Sequence, residues 1–238
     1  MSPAERDGAE RDGAGTGAAG LGGADLAGWI RHAARLVSAD AERLTRLDAA
    51  IGDGDHGLNL DRGFSAAVEA VDALPGDAAP GKVLIAAGRA IVSKTGGASG
   101  PLYGTALRRA GKALDAATTV DAAGLGAALR AALEGVQELG QAAEGDKTMV
   151  DALIPAVAAY EEALAGNADL AACARAAADG AARGAEATVP LQARKGRASY
   201  LGPRSVDHMD PGASSTALIL RALADAAGKG EGAWSESS

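Results

Sequence analysis

Three carboxylates crowd one short stretch of this chain, Asp48-Ala49-Ala50-Ile51-Gly52-Asp53-Gly54-Asp55-His56-Gly57. Asp48 falls at the C-terminal end of a helical pattern, where the helix dipole disfavours an anion. Asp53 and Asp55, on a glycine-rich turn, add like-charge repulsion. A hard divalent cation offsets such crowding, and an all-oxygen ligand set suits Mg²⁺ or Ca²⁺ rather than zinc. A calcium loop counted from Asp53 fails, because Leu58 stands where the glycine belongs and Phe64 where the glutamate belongs. Mg²⁺ held by few carboxylates is completed by water and substrate phosphates, so a nucleotide is implied. An isolated Asp-Gly-Asp would read as a solvated turn. Asp48 and His56 beside it favour the metal.

Three further segments carry residues of chemical interest. Gly96-Gly97-Ala98-Ser99-Gly100-Pro101-Leu102-Tyr103-Gly104-Thr105 opens a helix. Its backbone N–H groups and the helix N-terminus suit an anion, and its glycines equally suit close approach of two helices; the pattern leaves both readings open. It is neither a Walker A loop, lacking Gly-Lys-Ser/Thr, nor a dinucleotide fingerprint, lacking a preceding strand. In Gly145-Asp146-Lys147-Thr148-Met149-Val150-Asp151 the spacing makes Asp146 the expected cap of the next helix and Met149 core filling. A cluster of positive charge lies in Ala193-Arg194-Lys195-Gly196-Arg197 and on to Arg204, ahead of Asp207-His208-Met209-Asp210-Pro211-Gly212. Read as a long loop without secondary structure, it is either functional, neutralising phosphates, or merely solvated.

The elements that must position these groups are helical almost throughout. Leu26, Trp29, Ile30, Ala33, Leu36, Val37, Leu44 and Leu47 repeat at helical spacing behind an expected N-cap, Asp25. Similar stretches run over 58–74, 82–93, 102–116, from Asp121 to Leu139, 148–164 with Pro155 as an expected kink, 170–187 and 214–227. Aromatic residues are 3% of the chain and alanine dominates, so strand signals are poor. The expectation is an all-α barrel or bundle of about eight antiparallel helices spanning 25–228. Residues 1–24, rich in Gly, Ala and Glu, and residues 229–238 read as disordered tails.

Composition narrows the partners. The 238 residues are 47% hydrophobic, enough for one sizeable core, and carry a net charge of −8. An acidic surface repels a phosphate backbone, which argues against bulk nucleic-acid binding. One cysteine, Cys173, excludes an internal disulfide framework and a thiolate zinc cage. No apolar run reaches the roughly 18 to 20 residues that span a bilayer. The charged N-terminus is no secretory signal, so the expected setting is soluble and cytoplasmic.

Taken in order, Leu47–Gly57, Gly96–Thr105, Gly145–Met149 and Ala193–Gly202 resemble the signature segments of the L subunit of dihydroxyacetone kinase, over roughly residues 25–228. The resemblance implies a barrel of eight antiparallel helices with ADP or ATP at one open end. It implies that Asp48, Asp53 and Asp55 hold two Mg²⁺ bridging to the nucleotide phosphates. The nucleotide site would comprise His56, Gly57, Leu58, Asn59, Ala98, Ser99, Gly140 and Met149. Arg194 would contact phosphate as the catalytic cation, and Asp210-Pro211-Gly212 would close over the nucleotide.

The same resemblance places dihydroxyacetone on a separate K subunit, bound covalently through a histidine. A free-standing L chain resembles the phosphotransferase-linked form, whose ADP is recharged by a phosphohistidine on an M subunit. It further implies a homodimer or hetero-complex, and two alternatives: a regulatory module whose ADP-loaded state is read by a transcription regulator, or a kinase subunit serving another small ketose. Asp207-His208-Met209 departs from the family pattern, as does the extra N-terminal tail.

Overall fold

A computed structural model describes residues 20–228, which form eight α-helices and one 3₁₀ segment. The helices are α1 (Gly23–Ile51), α2 (His56–Asp72), α3 (Pro80–Lys94), α4 (Ser99–Ala113), α5 (Ala122–Gly140), α6 (Val150–Ala165), α7 (Leu170–Ala187) and α8 (Pro211–Ala227). The all-α expectation holds. Each helix packs on the next, and α8 returns against α1, closing the ring into a barrel. The α5–α6 seam is the loosest joint between consecutive helices.

The apolar stripe of α1 explains its place. Leu26, Trp29, Ile30, Ala33, Val37 and Leu44 are buried along one face, and the Trp29 indole N–H donates to the carbonyl of Ile219 at 3.0 Å, tying α1 to α8. Small residues set the other distances. A Cβ at Gly88 would lie 2.8 Å from the carbonyl oxygen of Gly104, and one at Gly81 2.5 Å from that of Gly111, so α3 and α4 touch backbone to backbone. Pro155 lies within α6, which continues through it; α7 accommodates it at Gly180 and Gly184, where a Cβ would meet Pro155 atoms at 2.5 and 2.6 Å.

Several sequence expectations are corrected. The first helix opens at Gly23, with Gly22 as N-cap. Asp25 caps from inside, its carboxylate accepting the Gly22 N–H at 2.9 Å. Residues 20–24 are part of the fold, since Leu21 is buried and exchanges two backbone hydrogen bonds with Val120. Asp146 does not cap α6: it accepts from the Ala143 N–H, while Asp151 takes the N–H groups of Gly145 and Thr148. The segment read as structureless contains a 3₁₀ stretch, Arg197–Ser205, broken at Gly202 where φ is +56°. Buried Ser205 accepts the Ala193 N–H and donates to the Gly202 carbonyl, stapling that segment together. Residues 1–19 and 229–238, with the expected tails, lie outside the described residues.

Candidate metal and nucleotide site

Asp48 lies in the last turn of α1, and the turn after the helix brings the other two acids back. One oxygen from each of Asp48, Asp53 and Asp55 lies within 4.8 Å of the others. The turn is drawn back by Asp48 itself, whose Oδ2 accepts the N–H of Asp55 at 2.9 Å and of His56 at 3.1 Å. Glycine is required beside it, since a Cβ at Gly52 would stand 2.1 Å from Asp48 Oδ1. Gly54 takes φ +73°, a conformation that side chains disfavour. Asp48 is nearly buried while Asp53 and Asp55 are open to solvent. Asp53 is met by a cation, Arg197 Nε at 2.8 Å from its Oδ2. Three converging carboxylates, one with its second oxygen already satisfied, make an oxygen-only donor set that fits Mg²⁺.

The acids stand at one side of a cavity of about 600 Å³. The Gly96-Gly97-Ala98-Ser99 turn at the N-terminus of α4 also lines it, and Leu102, Val136, Leu139 and Met149 supply an apolar surface. Lys195 and Arg197 bring positive charge from the long connection, and Asp210, Pro211 and Gly212 complete the rim. This size and mixture suit a ligand with a flat apolar part and a charged end.

Beneath the rim runs a buried polar network. The His56 ring nitrogens lie 3.1 Å from Ser99 Oγ and 2.9 Å from Ser215 Oγ. Burial lowers the His56 pKa against the opposing pull of Asp48 and Asp55. A neutral imidazole gives one hydroxyl a proton and accepts from the other. Tyr103 donates to the Gly212 carbonyl at 3.0 Å and lies 2.7 and 2.9 Å from the Ser215 and Thr216 hydroxyls. Burial raises its phenol pKa strongly. The network joins α2, α4 and the start of α8 under the cavity floor.

Asp210 is the N-cap of α8, accepting the Ala213 N–H at 2.7 Å. Desolvation pushes its pKa up to about 7. Lys147 is buried behind it and donates to the carbonyls of Thr188 at 2.7 Å, Val189 at 3.3 Å and His208. Burial depresses its pKa, opposed by Asp210, Asp207 and Asp151. Its ammonium thus latches the end of α7 to the segment that leads into α8.

The structure places His56, Ala98, Ser99, Gly140, Met149, Asp210, Pro211 and Gly212 on the cavity with the three aspartates. Four other expected site residues stand elsewhere. Gly57 is packed against α1, where a Cβ would come within 1.9 Å of the Ala41 carbonyl oxygen. Leu58 is 60% exposed on the outer face. Asn59 is buried behind the Gly96 turn and accepts from Arg62 at 2.7 Å. Arg194 is exposed, and its backbone N–H is bound to the Asp146 carbonyl.

The cation brought to the acids is instead Arg197, which the sequence did not separate from its basic neighbours. Gly196, with φ +62°, makes the turn that sends it there. Lys147, Tyr103 and Ser215 were likewise not singled out. Lys147 sits inside a motif that was noticed, but nothing in its spacing tells a buried ammonium from an exposed one.

Comparison with known proteins gives the family. The DAK2 domain family matches residues 50–225. The chain is 42% identical over 199 residues to the ADP-binding subunit DhaL of PEP-dependent dihydroxyacetone kinase from Escherichia coli strain K12, covering 84% of this chain and 94% of that one. It is 43% identical over 197 residues to the corresponding subunit of kinase 1 from Listeria innocua, covering 82% and 92%. The D-erythrulose kinase of Mycolicibacterium smegmatis is 44% identical over 189 residues, which are 79% of this chain and 33% of that protein. The solved dihydroxyacetone kinase of C. freundii in complex with AMP-PNP and Mg²⁺ superposes with a TM-score of 0.64 at 28% identity, over 94% of this chain and 38% of that one.

The chain belongs to the DAK2 domain family. Within it, the chain is of the dihydroxyacetone kinase L-subunit type, and so a kinase subunit.

Proposed function

We propose that this subunit holds ADP or ATP with two Mg²⁺ in the barrel-end cavity and passes the phosphoryl group to dihydroxyacetone carried on a separate K subunit. The observation that carries the reading is the convergence of Asp48, Asp53 and Asp55 beside a cavity of about 600 Å³ faced by the α4 N-terminus. Mg²⁺ on those carboxylates would neutralise phosphate charge and orient the oxygens of the transfer. The chain's own residues supply the rest. Leu102, Val136, Leu139 and Met149 exclude water from one wall. The turn from Gly96 to Ser99 offers backbone N–H groups to an anion, and His56 fixes the Ser99 hydroxyl. Arg197, already at Asp53, is placed to meet charge on a phosphoryl group. Arg194 keeps a phosphate role only if its exposed side chain swings inward.

The reading includes recharging of bound ADP by a phosphohistidine of an M subunit in the cytoplasm. In that step the phosphorus–nitrogen bond would break as a terminal phosphate oxygen of ADP takes the phosphoryl group, and the ring, protonated on its other nitrogen, would leave as neutral histidine. The acceptor class extends to other small ketoses, a reading supported by relatives named as D-erythrulose and L-erythrulose kinases, 44% and 39% identical to this chain.

Titration calorimetry with ADP tests the site. Binding at one per chain in millimolar Mg²⁺, lost on chelation and in Asp53→Ala, is expected; no binding in Mg²⁺ overturns it. Reconstitution with K and M subunits then tests turnover. Sugar phosphate is expected, and its absence with any phosphoryl donor would leave nucleotide-dependent regulation as the better account.

A further inference from the structure

A second concavity, of about 470 Å³, lies on the barrel wall between α3, α4 and α5. Arg89 of α3 and Arg108, Arg109 and Lys112 of α4 line it, facing a single carboxylate, Glu138 of α5. Arg109 is ion-paired with Glu138. Among the described residues no carboxylate pairs with Arg89, Arg108 or Lys112. On a chain of net charge −8, three unneutralised cations in one groove make a concentrated positive field.

The groove adjoins the nucleotide cavity. Leu139, half exposed, lines both. Helix α4 starts in the cavity at Ser99 and runs on along the groove to Lys112. A protein seated in the groove therefore stands beside the mouth.

The lining selects the occupant. It holds no aromatic ring on which a base could stack. Leu139 is its one exposed large hydrophobic, too little for insertion into a lipid surface. Long exposed cations around one apolar side chain suit an acidic protein face, held by charge more than by apolar area.

Resting on the nucleotide reading above, we infer that this groove docks an acidic face of the protein that recharges the bound nucleotide. Such a donor arrives and leaves in every turnover. Charge complementarity speeds that encounter without the large apolar area that would slow departure. It also counters the repulsion an acidic donor would meet from the rest of this surface.

The test is steady-state turnover of the complete kinase, with the K and M subunits of its own source, using Arg108→Glu with Lys112→Glu. Neither residue lines the nucleotide cavity or bonds to another described side chain. The half-saturating concentration of M is expected to rise at least about tenfold, and its dependence on salt to flatten. Half-saturation by K and retention of ADP are expected to stay unchanged. Unchanged saturation by M, or a shift confined to K, overturns the inference. Wild-type protein that fails to retain ADP would instead overturn the nucleotide reading. Should circular dichroism show the double variant misfolded, Arg89→Glu carries the same test with an expected shift of about threefold.

Discussion

Arg197 and Asp53 form an ion pair across the mouth of the cavity, Nε to Oδ2 at 2.8 Å. They are 144 residues apart by their numbering, and the pair joins the basic segment 194–204 to the acidic turn. Both side chains are largely exposed, at 69% and 41%, so the pair adds little to stability. Its value lies in placement. A guanidinium held at a phosphate site in advance loses less freedom when the ligand arrives.

Arg197→Gln should therefore leave the thermal midpoint within about 2 °C of wild type while weakening ADP binding in Mg²⁺ by about five- to tenfold. Calorimetry at fixed Mg²⁺ checks it. Arg194→Gln is expected to weaken binding less than Arg197→Gln does, and the reverse order would return the phosphate role to Arg194.

Asp48 does two jobs that two substitutions separate. Asp48→Ala orphans the N–H groups of Asp55 and His56 and should destabilise the protein by about 1–3 kcal/mol in urea unfolding. Gly52→Ala keeps every carboxylate but drives a Cβ to 2.1 Å from Asp48 Oδ1. Its expected signature is a loss of Mg²⁺-dependent ADP binding of at least about tenfold, because the ligand carboxylate must rotate away. Wild-type affinity in Gly52→Ala would contradict the placement of Asp48 among the ligands.

Asp210 predicts a pH dependence. Burial raises its pKa to about 7 in the fold from 3.8 as the ordinary value. Between those values the folded chain binds more protons than the unfolded chain, so stability falls as pH rises through the window. The loss is absent below about pH 4 and complete above about pH 7. Asp210→Asn keeps an oxygen for the Ala213 N–H and removes the ionisation. Ligand-free Asp210→Asn should therefore be more stable than wild type at pH 8, by about 1–3 kcal/mol, with the advantage shrinking toward pH 5. Urea midpoints at both pH values measure it.

Lys147→Met removes the donor to the carbonyls of Thr188, Val189 and His208. Unpaired buried acceptors cost about 1–3 kcal/mol, and the loss should fall on residues 188–210. Hydrogen exchange resolved along the chain checks it. Faster exchange at Arg194 and Asp207, whose N–H groups bond to Asp146 and Val189, is expected before exchange rises in α1–α3.

Much of this was legible in the residues alone. Helical spacing and alanine content sufficed for eight helices, since burial along α1 follows the repeat of Leu26, Ile30, Ala33, Val37 and Leu44. The convergence of Asp48, Asp53 and Asp55 was legible because all three lie within one turn of chain, where separation in sequence bounds separation in space. Capping was less so. Asp25 and Asp146 both suit the position before a helix by residue type, yet one caps from the third helical position and the other serves a preceding turn. Local type permits either, and packing chooses.

By itself, then, the order of residues determined the helical class and the crowding of the three acids, because each depends on neighbours a few positions away. Tertiary structure alone decided which basic residue reaches the acids, that Lys147 is buried and spans three carbonyls, and that Asp210 is kept from water. Those outcomes depend on closure of the barrel, which brings residues from 41 positions apart, as Lys147 and Thr188, to 144 apart, as Arg197 and Asp53, into contact. No local propensity encodes the burial and charge environment that such contacts create.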